Sequence, residues 1–394
     1  MFEPTALIIG AGISGPALAL FLQDAGYAVT VTEARTPESP DARWYFNLGP
    51  GGRTVLGLLG VLPEVDRIGV PTDRIVFLDH RGHELGHNPA ASTLIRRDLL
   101  SALLRETAAR AGIRFRYGSR LLGVDPCPGP ATPRARPVAH FADGTSTEAD
   151  LVVGCDGIHS AVRQSLLPGG PRPRFTEVID GGGTARPAEP LPYDGIMRLT
   201  FGRRAFFGYQ TLPDGTVAWF QNTRTPCPGT RQEPGGIPLA RWRHHLLQLH
   251  GEDHSPIPGI ITAASGPLHR WPVHELPSLP VWSHGPVGVI GDAAHAMAPH
   301  DGQGASMALE DALVLAECLR GGEDPARALH RFQVLRRERV ETIARQSTRT
   351  GRQKFPATER ARQVRDQLLP HLLAQGVQSA MRADSFVRAG GERR

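Results

Sequence analysis

The hydrophobic pattern of the first 35 residues changes period twice. ALIIG is a short continuous apolar run, the pattern of a buried strand; SGPALALFLQDAG repeats its apolar positions at helical spacing; YAVTVTEAR reads as a strand again. Strand, helix and strand in this order predict a β-α-β crossover, because parallel neighbours need a long connection. Pro16 fits the first helical turn, where its missing N–H would have no partner anyway.

Further along, RTVLGLLGV predicts a helix, and residues 94–112 predict another that Gly112 stops. IRFRYG and LLGVD follow as short strands, and the Pro-rich segment Pro126 to Pro137 as a surface loop. ADLVVGCDGIHSAVRQSLL repeats the order of buried strand, turn and helix. Between about Pro171 and Pro272 the texture becomes short alternating runs, IMRLTF, AFFGYQTL and TVAWFQNT, with a Pro-Asp-Gly hairpin signal at 213–215. VGVIGDAAH returns to the buried type, residues 305–319 form an apolar-faced helix ended by Gly321-Gly322, and 325–380 read as helical and Arg-rich. The expected fold is α/β: a Rossmann-like domain in residues 1–170 and 273–325, an inserted, mostly antiparallel β-sheet domain at 171–272, and C-terminal helices in 326–394.

Composition narrows the function. With 394 residues, 40% hydrophobic and 21% charged, the chain reads as a globular protein of enzyme size. Its formal charge of +5 comes from arginines scattered throughout, and Lys354 is the only lysine. Without a basic stripe or an aromatic-basic module, no nucleic-acid partner is expected. Cys127, Cys155, Cys227 and Cys318 lack metal or redox spacing and read as free thiols of a reducing cytoplasm. The leader FEP has no basic residue and no apolar run reaches a membrane span, so neither export nor membrane anchoring is expected.

Chemistry concentrates in VIGDAAHAMAPHDGQGASMALEDA, Val289 to Ala312, where acids and imidazoles suggest a metal or hydrolase centre and glycines suggest a site built by backbone. His295 and His300 lie five residues apart across a proline, which puts them on no common helical face, so no metal site is expected. Ser160 and Ser306 lack the G-x-S-x-G context of a nucleophile. Asp301, Glu310 and Asp311 read as helix-end or solvent-facing charges. At the other end of the chain, Gly10-Ala-Gly12-Ile13-Ser14-Gly15 follows a strand and opens a helix, the context of a dinucleotide fingerprint. Its helix start offers N–H groups and about half a positive charge to a pyrophosphate. Glu33, ending the second strand before Ala34, is placed for ribose hydroxyls.

LVVGCDGIHSAVR and VIGDAAHAMAPHDGQGA each end a buried strand with an aspartate beside glycine. With the fingerprint, they resemble the FAD-dependent aromatic hydroxylases (group A flavoprotein monooxygenases), which include phenol and polyketide hydroxylases and tetracycline-inactivating oxygenases. The resemblance implies FAD as cofactor and transient docking of NADPH or NADH, since no second β-G-x-G-x-x-G-α unit is present. It implies hydroxylation of an aromatic or polyketide-like small molecule by O₂ through a flavin C4a-hydroperoxide. It places Asp292 at the ribityl or pyrophosphate part of FAD, and Pro299, Gly302, Gln303, Gly304 and Ala305 near the flavin ring. Asp156 and Gly157 match the middle motif, Arg96 a cofactor-contacting arginine, Leu121 a backbone contact to adenine, and Arg43 and Asn47 the covering loop. A helix starting near Gly304 would stabilise the negative charge of a reduced flavin.

Alternation in the inserted sheet should turn half of its residues toward the flavin, with Phe207, Tyr209, Gln210, Phe220 and Asn222 as candidate substrate contacts. No catalytic side chain is named. A monomer or homodimer is expected. A halogenase or double-bond reductase on the same scaffold, a plain NAD dehydrogenase and a non-catalytic protein that retains FAD and sequesters a ligand stay open, although no G-W-x-W-x-I-P stretch favours the halogenase.

Overall fold

Two large sheets share the chain, and neither is built from one continuous segment. The computed structural model describes residues 3–39, 44–125, 136–226, 239–356 and 358–370. Arg43, Cys127, Cys227, most of the Pro126 to Pro137 loop and residues 371–380 of the expected tail helix lie outside them.

The first sheet has six strands in the order Ser283–His284, Val287–Val289, Leu151–Gly154, Thr5–Ile9, Ala28–Thr32 and Arg114–Arg116. All neighbours run parallel except the first pair. Leu7, Ile8, Leu151, Val152, Val153 and Val287 are fully buried, as the apolar runs require of strands covered on both faces. Helix Ser14–Asp24 packs against helix Gly304–Leu319.

The second sheet has eight strands: Ala264–Glu275, Arg174–Ala185, Val217–Arg224, Phe206–Thr211, Ile196–Phe201, Val70–Asp79, Glu84–Arg96 and Tyr45–Leu48. The expected boundaries need correction here, because the last three strands come from the first 170 residues. They join through a parallel pairing of Val70–Asp79 with Ile196–Phe201, the one parallel contact of the sheet. The helix expected to begin at 94 begins at Arg97, because Leu94, Ile95 and Arg96 are still paired with Tyr45–Asn47 across the sheet edge. The hairpin at Pro213-Asp-Gly215 joins Phe206–Thr211 to Val217–Arg224.

The two faces of this sheet do different work. Phe207, Tyr209 and Trp219 form a closed core with Trp242 and Leu246 of helix Leu239–His250 and Ile257, Ile260 and Ile261 of helix Ile257–Thr262. The opposite face carries Met197, Phe201, Phe206 and Ala218, and turns toward the first domain and the tail, where Leu369 packs on Phe201 and Phe206.

Helix Pro325–Lys354 spans both domains, and its buried stripe includes Phe332, Arg336, Val340, Ser347, Gly351 and Lys354. The chain breaks at Phe355-Pro356, where proline cannot continue the helix, and a further helix covers 359–370. No helix among the described residues is long and apolar enough to cross a membrane.

Candidate functional site

Backbone, more than side chains, shapes the glycine loop. Gly10 has φ +107° and a Cβ there would lie 2.4 Å from the Cys155 carbonyl oxygen; a Cβ on Gly15 would lie 1.9 Å from the Gly10 oxygen. Both glycines are demanded by protein packing. At Gly12 a Cβ would meet nothing within 4 Å, so that glycine leaves open space at the start of helix Ser14–Asp24. The helix has no side-chain cap and no acid in its first turn, which leaves its N–H groups available to an anion. Glu33 aims at the same loop, accepting from Ala11 N at 2.9 Å and, through its other oxygen, from Arg35 N at 3.0 Å. Ala34 follows it on the half-buried rim.

The other motifs converge on this loop. Ser14 Oγ lies 3.4 Å from the Cβ position of Gly291, and the Gly10 loop touches Cys155. Asp156 accepts from Ala161 N at 2.7 Å and Val162 N at 3.3 Å, capping helix Ala161–Leu166 through one oxygen. Its second oxygen is buried without a partner, and burial raises the carboxyl above its ordinary range. Gly157 takes φ +76° in the turn that follows. Arg163, from the same motif, donates to the Ala293 and Ile158 carbonyls and fastens this turn to helix Asp292–His295. Asp292 opens that short helix, and among the described residues its carboxylate takes no hydrogen bond or ion pair.

After Asp292 come the 3-10 turn Pro299–Asp301, Gly302 at φ +66°, Gln303 and helix Gly304–Leu319, whose half-buried first turn includes Ala305. No side chain caps this helix, no acid occupies its first turn, and a Cβ on Gly304 would meet nothing within 4 Å. A second uncapped helix start, at Pro50, lies beside it, with the Cβ position of Gly49 3.5 Å from Ser306 Oγ and 3.7 Å from Gln303 Nε2. Asn47 Oδ1 and Ser306 Oγ, next to these starts, are buried without partners. The described residues thus fit a planar, electron-accepting group: open glycines, two positive helix ends and orphaned polar atoms.

Arg96 and Leu121 support the site from further out. Arg96 is held by both oxygens of Asp98 at 3.0 and 2.5 Å. Leu121 is buried at the start of its strand, two residues after Ser119, whose N–H donates to the Glu33 carbonyl at 2.9 Å. Sequence reasoning missed Arg105, which donates to the Ala11 carbonyl at 3.2 Å from the helix after Arg96.

The acids near the end of the 289–312 stretch are not solvent-facing. Asp311 is fully buried, accepting from His295 Nε2 at 2.5 Å, Gly291 N at 2.9 Å and Arg336 Nε at 2.7 Å. Burial alone would raise this carboxyl, but His295 and Arg336 hold it down at about 2. Glu310 accepts from Arg336 Nη1 at 2.8 Å and from Arg339 through two bonds of 2.8 and 2.9 Å. Burial without partners would be prohibitive, so the expectation fails at Arg336, which arrives from a distant helix. His295 is therefore a structural partner of Asp311. No group of three or more His, Cys, Asp or Glu placed to hold a metal occurs among the described residues.

Of the five candidate substrate residues, the structure brings three to the loop side and sends two away. Phe207 and Tyr209 lie in the closed core, Phe207 stacked on Trp219 at 5.5 Å, because alternation turns them toward the covering helices. Phe220, Asn222 and Gln210 lie on the opposite face. The Phe220 ring covers Gly208, and Gln210 is engaged at both ends, accepting from Thr72 and donating to the Pro71 carbonyl at 2.7 Å each. Trp271, opposite Asp180 in the sheet, stacks on Trp44 at 4.7 Å; both went unnoticed in sequence because no motif holds them.

Asn222 belongs to a buried polar cluster. Lys354 Nζ donates to Asn222 Oδ1 at 2.8 Å and to His300 Nδ1 at 3.3 Å, and sits 4.0 Å over the Phe206 ring. Burial and the neighbouring ammonium pull His300 down to about 3, so its imidazole is neutral. Burial also raises Asp180 and lowers Lys354, each opposed by the other's charge. Asp301, beside His300, is raised by burial rather than exposed as a solvent charge.

Residues 3–178 and 252–347 match the family model described as "FAD binding domain". The chain is 30% identical over 357 residues to aurachin C monooxygenase/isomerase of Stigmatella aurantiaca, covering 88% of each. It is 30% identical over 393 residues to a 3-amino-4-hydroxybenzoate 2-monooxygenase of Streptomyces platensis, covering 93% of each. Among solved structures, HpxO of Klebsiella pneumoniae complexed with FAD and uric acid superposes with a TM-score of 0.83 at 22% identity, over 95% of this chain and 96% of that one. Tetracycline destructase Tet(51) superposes with a TM-score of 0.68 at 16% identity, over 94% and 96%. These structural likenesses concern the fold.

Proposed function

We propose, from the premise that this chain belongs to the FAD-binding-domain family of flavin monooxygenases, that it hydroxylates a planar, electron-rich aromatic or heteroaromatic small molecule. It is an FAD-dependent monooxygenase that consumes NAD(P)H. FAD, when bound, would supply the hydride-accepting and O₂-activating chemistry; the chain's own residues supply position, charge and exclusion of water.

The observation that carries this reading is the uncapped start of helix Gly304–Leu319, where a Cβ on Gly304 would meet nothing within 4 Å, with a second uncapped helix start at Pro50 beside it. In our reading, Gly12 and the start of Ser14–Asp24 receive the pyrophosphate, Glu33 the ribose hydroxyls, and Asp292 the ribityl hydroxyls. The start of Gly304–Leu319 would hold the flavin ring. Phe220, Asn222 and the Trp44–Trp271 pair form the sheet wall of the substrate chamber, and no side chain is assigned as a general base. Relatives named for aminohydroxybenzoate, hydroxynicotinate and kynurenine support small aromatic substrates over large ones. We place the enzyme in the cytoplasm.

The test is direct. Purified protein should be yellow, and a screen of phenols, hydroxylated heteroaromatic acids, quinones and polyketides should yield one that accelerates NADPH oxidation and gains an oxygen atom from ¹⁸O₂. Flavin that every donor and ligand leaves oxidised would sink the reading in favour of a sequestering protein. Two glycines divide scaffold from site: Gly12→Ala should leave the apoprotein's thermal transition unchanged and lower FAD affinity, whereas Gly15→Ala should prevent folding, because its Cβ has nowhere to go.

A further inference from the structure

A chain that uses arginine almost everywhere carries its single lysine at a buried position, Lys354, 4% exposed at the end of the long helix. An ammonium is a compact point charge with three donors, and a guanidinium is a planar fork, so the two do not fill such a site alike. The contacts of Nζ are all neutral: the Asn222 amide oxygen, the His300 ring nitrogen and the face of Phe206. Among the described residues no carboxylate forms an ion pair with it, although Asp180 and Asp301 act on it through their fields.

Those contacts link three parts of the molecule. Because Lys354 only donates, His300 Nδ1 must accept, and the proton of the neutral ring resides on Nε2. The ring lies against the helix: a Cβ on Gly351 would be 2.3 Å from its Cδ2 and 2.5 Å from its Nε2. One turn earlier, Ser347 Oγ donates to the Ala298 carbonyl at 2.6 Å. Ser347, Gly351 and Lys354 share one helical face, so a single stripe grips both ends of the segment from Ala298 to His300. That segment leads directly into the start of Gly304–Leu319. On the other side, Asn222 belongs to the loop-facing surface of the second sheet.

We propose that Lys354 is a positioning residue of the monooxygenase reaction. Through His300 it fixes the Ala298–Gly302 segment against Asn222, and so sets how the flavin-binding loop stands relative to the sheet face that receives the substrate. The inference rests on the family-based reading above and assigns Lys354 no contact with substrate or flavin.

The test uses the full-length holoenzyme as Lys354→Met, His300→Leu and the double variant, read by the visible absorption spectrum and midpoint potential of bound FAD and by steady-state kinetics. Each single variant should shift the flavin spectrum and potential and lower kcat on the order of tenfold to a hundredfold, the scale of a misplaced reacting group. The double variant should be no worse than either single one, because both cut the same link. Should Lys354→Met not fold, His300→Leu carries the test alone, and a flavin identical to wild type in spectrum and potential overturns the proposal. So does additive loss in the double variant, or a change confined to thermal stability. Wild-type protein that takes up no FAD overturns the family-based reading and this inference together; wild-type holoenzyme with indifferent variants overturns the inference alone.

Discussion

Two buried clusters of charge border the Ala298–Gly302 segment, and they satisfy burial in opposite ways. Around Asp311 the charges meet directly: Arg336 and Arg339, with the His295 ring, surround two carboxylates at 2.5 to 2.9 Å. Around Lys354 the cation meets only neutral acceptors and a ring face, with acids at longer range. A closed network of the first kind has no valence left for another role, and its work is to fix helix Gly304–Leu319 against helix Pro325–Lys354. The second kind spends its donors on parts that must stand at a set distance from one another. A buried charge can thus serve as cement or as a spacer, and its contacts tell which.

The largest expected effect breaks the closed cluster. Arg336→Met leaves Glu310 with Arg339 alone and Asp311 with His295, and should destabilise the fold by about 3–5 kcal/mol in urea denaturation, more than Lys354→Met does. Equal losses for the two variants would erase the distinction.

A second contrast lies in pH. The Asp311 carboxyl is held at about 2, below its unfolded value, so its stabilisation is present above that unfolded value and is lost as pH falls through the folded one. Lys354 is shifted down instead. Between its lowered folded pKa and its unfolded value the unfolded chain binds more protons, so stability should rise with pH there. Denaturation midpoints measured across pH should show a late acid limb that Asp311→Asn shortens and an alkaline rise that Lys354→Met removes.

The smallest effect sharpens the spacer role. Asn222→Ala removes one neutral acceptor from a buried ammonium and should cost about 1.5–3 kcal/mol, while shifting the bound flavin spectrum in the same direction as His300→Leu. An unshifted spectrum would assign Asn222 to sheet packing only.

What could be read in advance follows from the same contrast. The glycine loop, the buried strands and the two aspartate turns carry local patterns: Gly15 answers to the Gly10 carbonyl five residues earlier, although Gly10 itself is crowded by the Cys155 carbonyl of a distant strand end. Period-2 alternation divided Phe207 and Tyr209 from Phe220 and Asn222 only into odd and even; it could not say which face two later helices would cover. The Asp311 cluster was hidden because its cation lies 25 residues away on a segment that reads as merely Arg-rich. A signal was nonetheless present, since Glu310 and Asp311 sit inside the apolar run MALEDALVLAE, where two solvated charges would interrupt a buried face. The strand Val70–Asp79, and Glu84–Arg96 paired to it, escaped the domain division because the strand that Val70–Asp79 joins, Ile196–Phe201, is over a hundred residues downstream.

The position of the long helix also sets an order of events during translation. Asp311 leaves the ribosome 25 residues before Arg336, and His300 leaves it 54 residues before Lys354. Until that helix emerges, the acids that anchor helix Gly304–Leu319 lack their arginine and the loop before it lacks its pin. The glycine loop and Glu33 are made long before the segment they meet, so the site proposed for the cofactor is complete only after Lys354 has emerged.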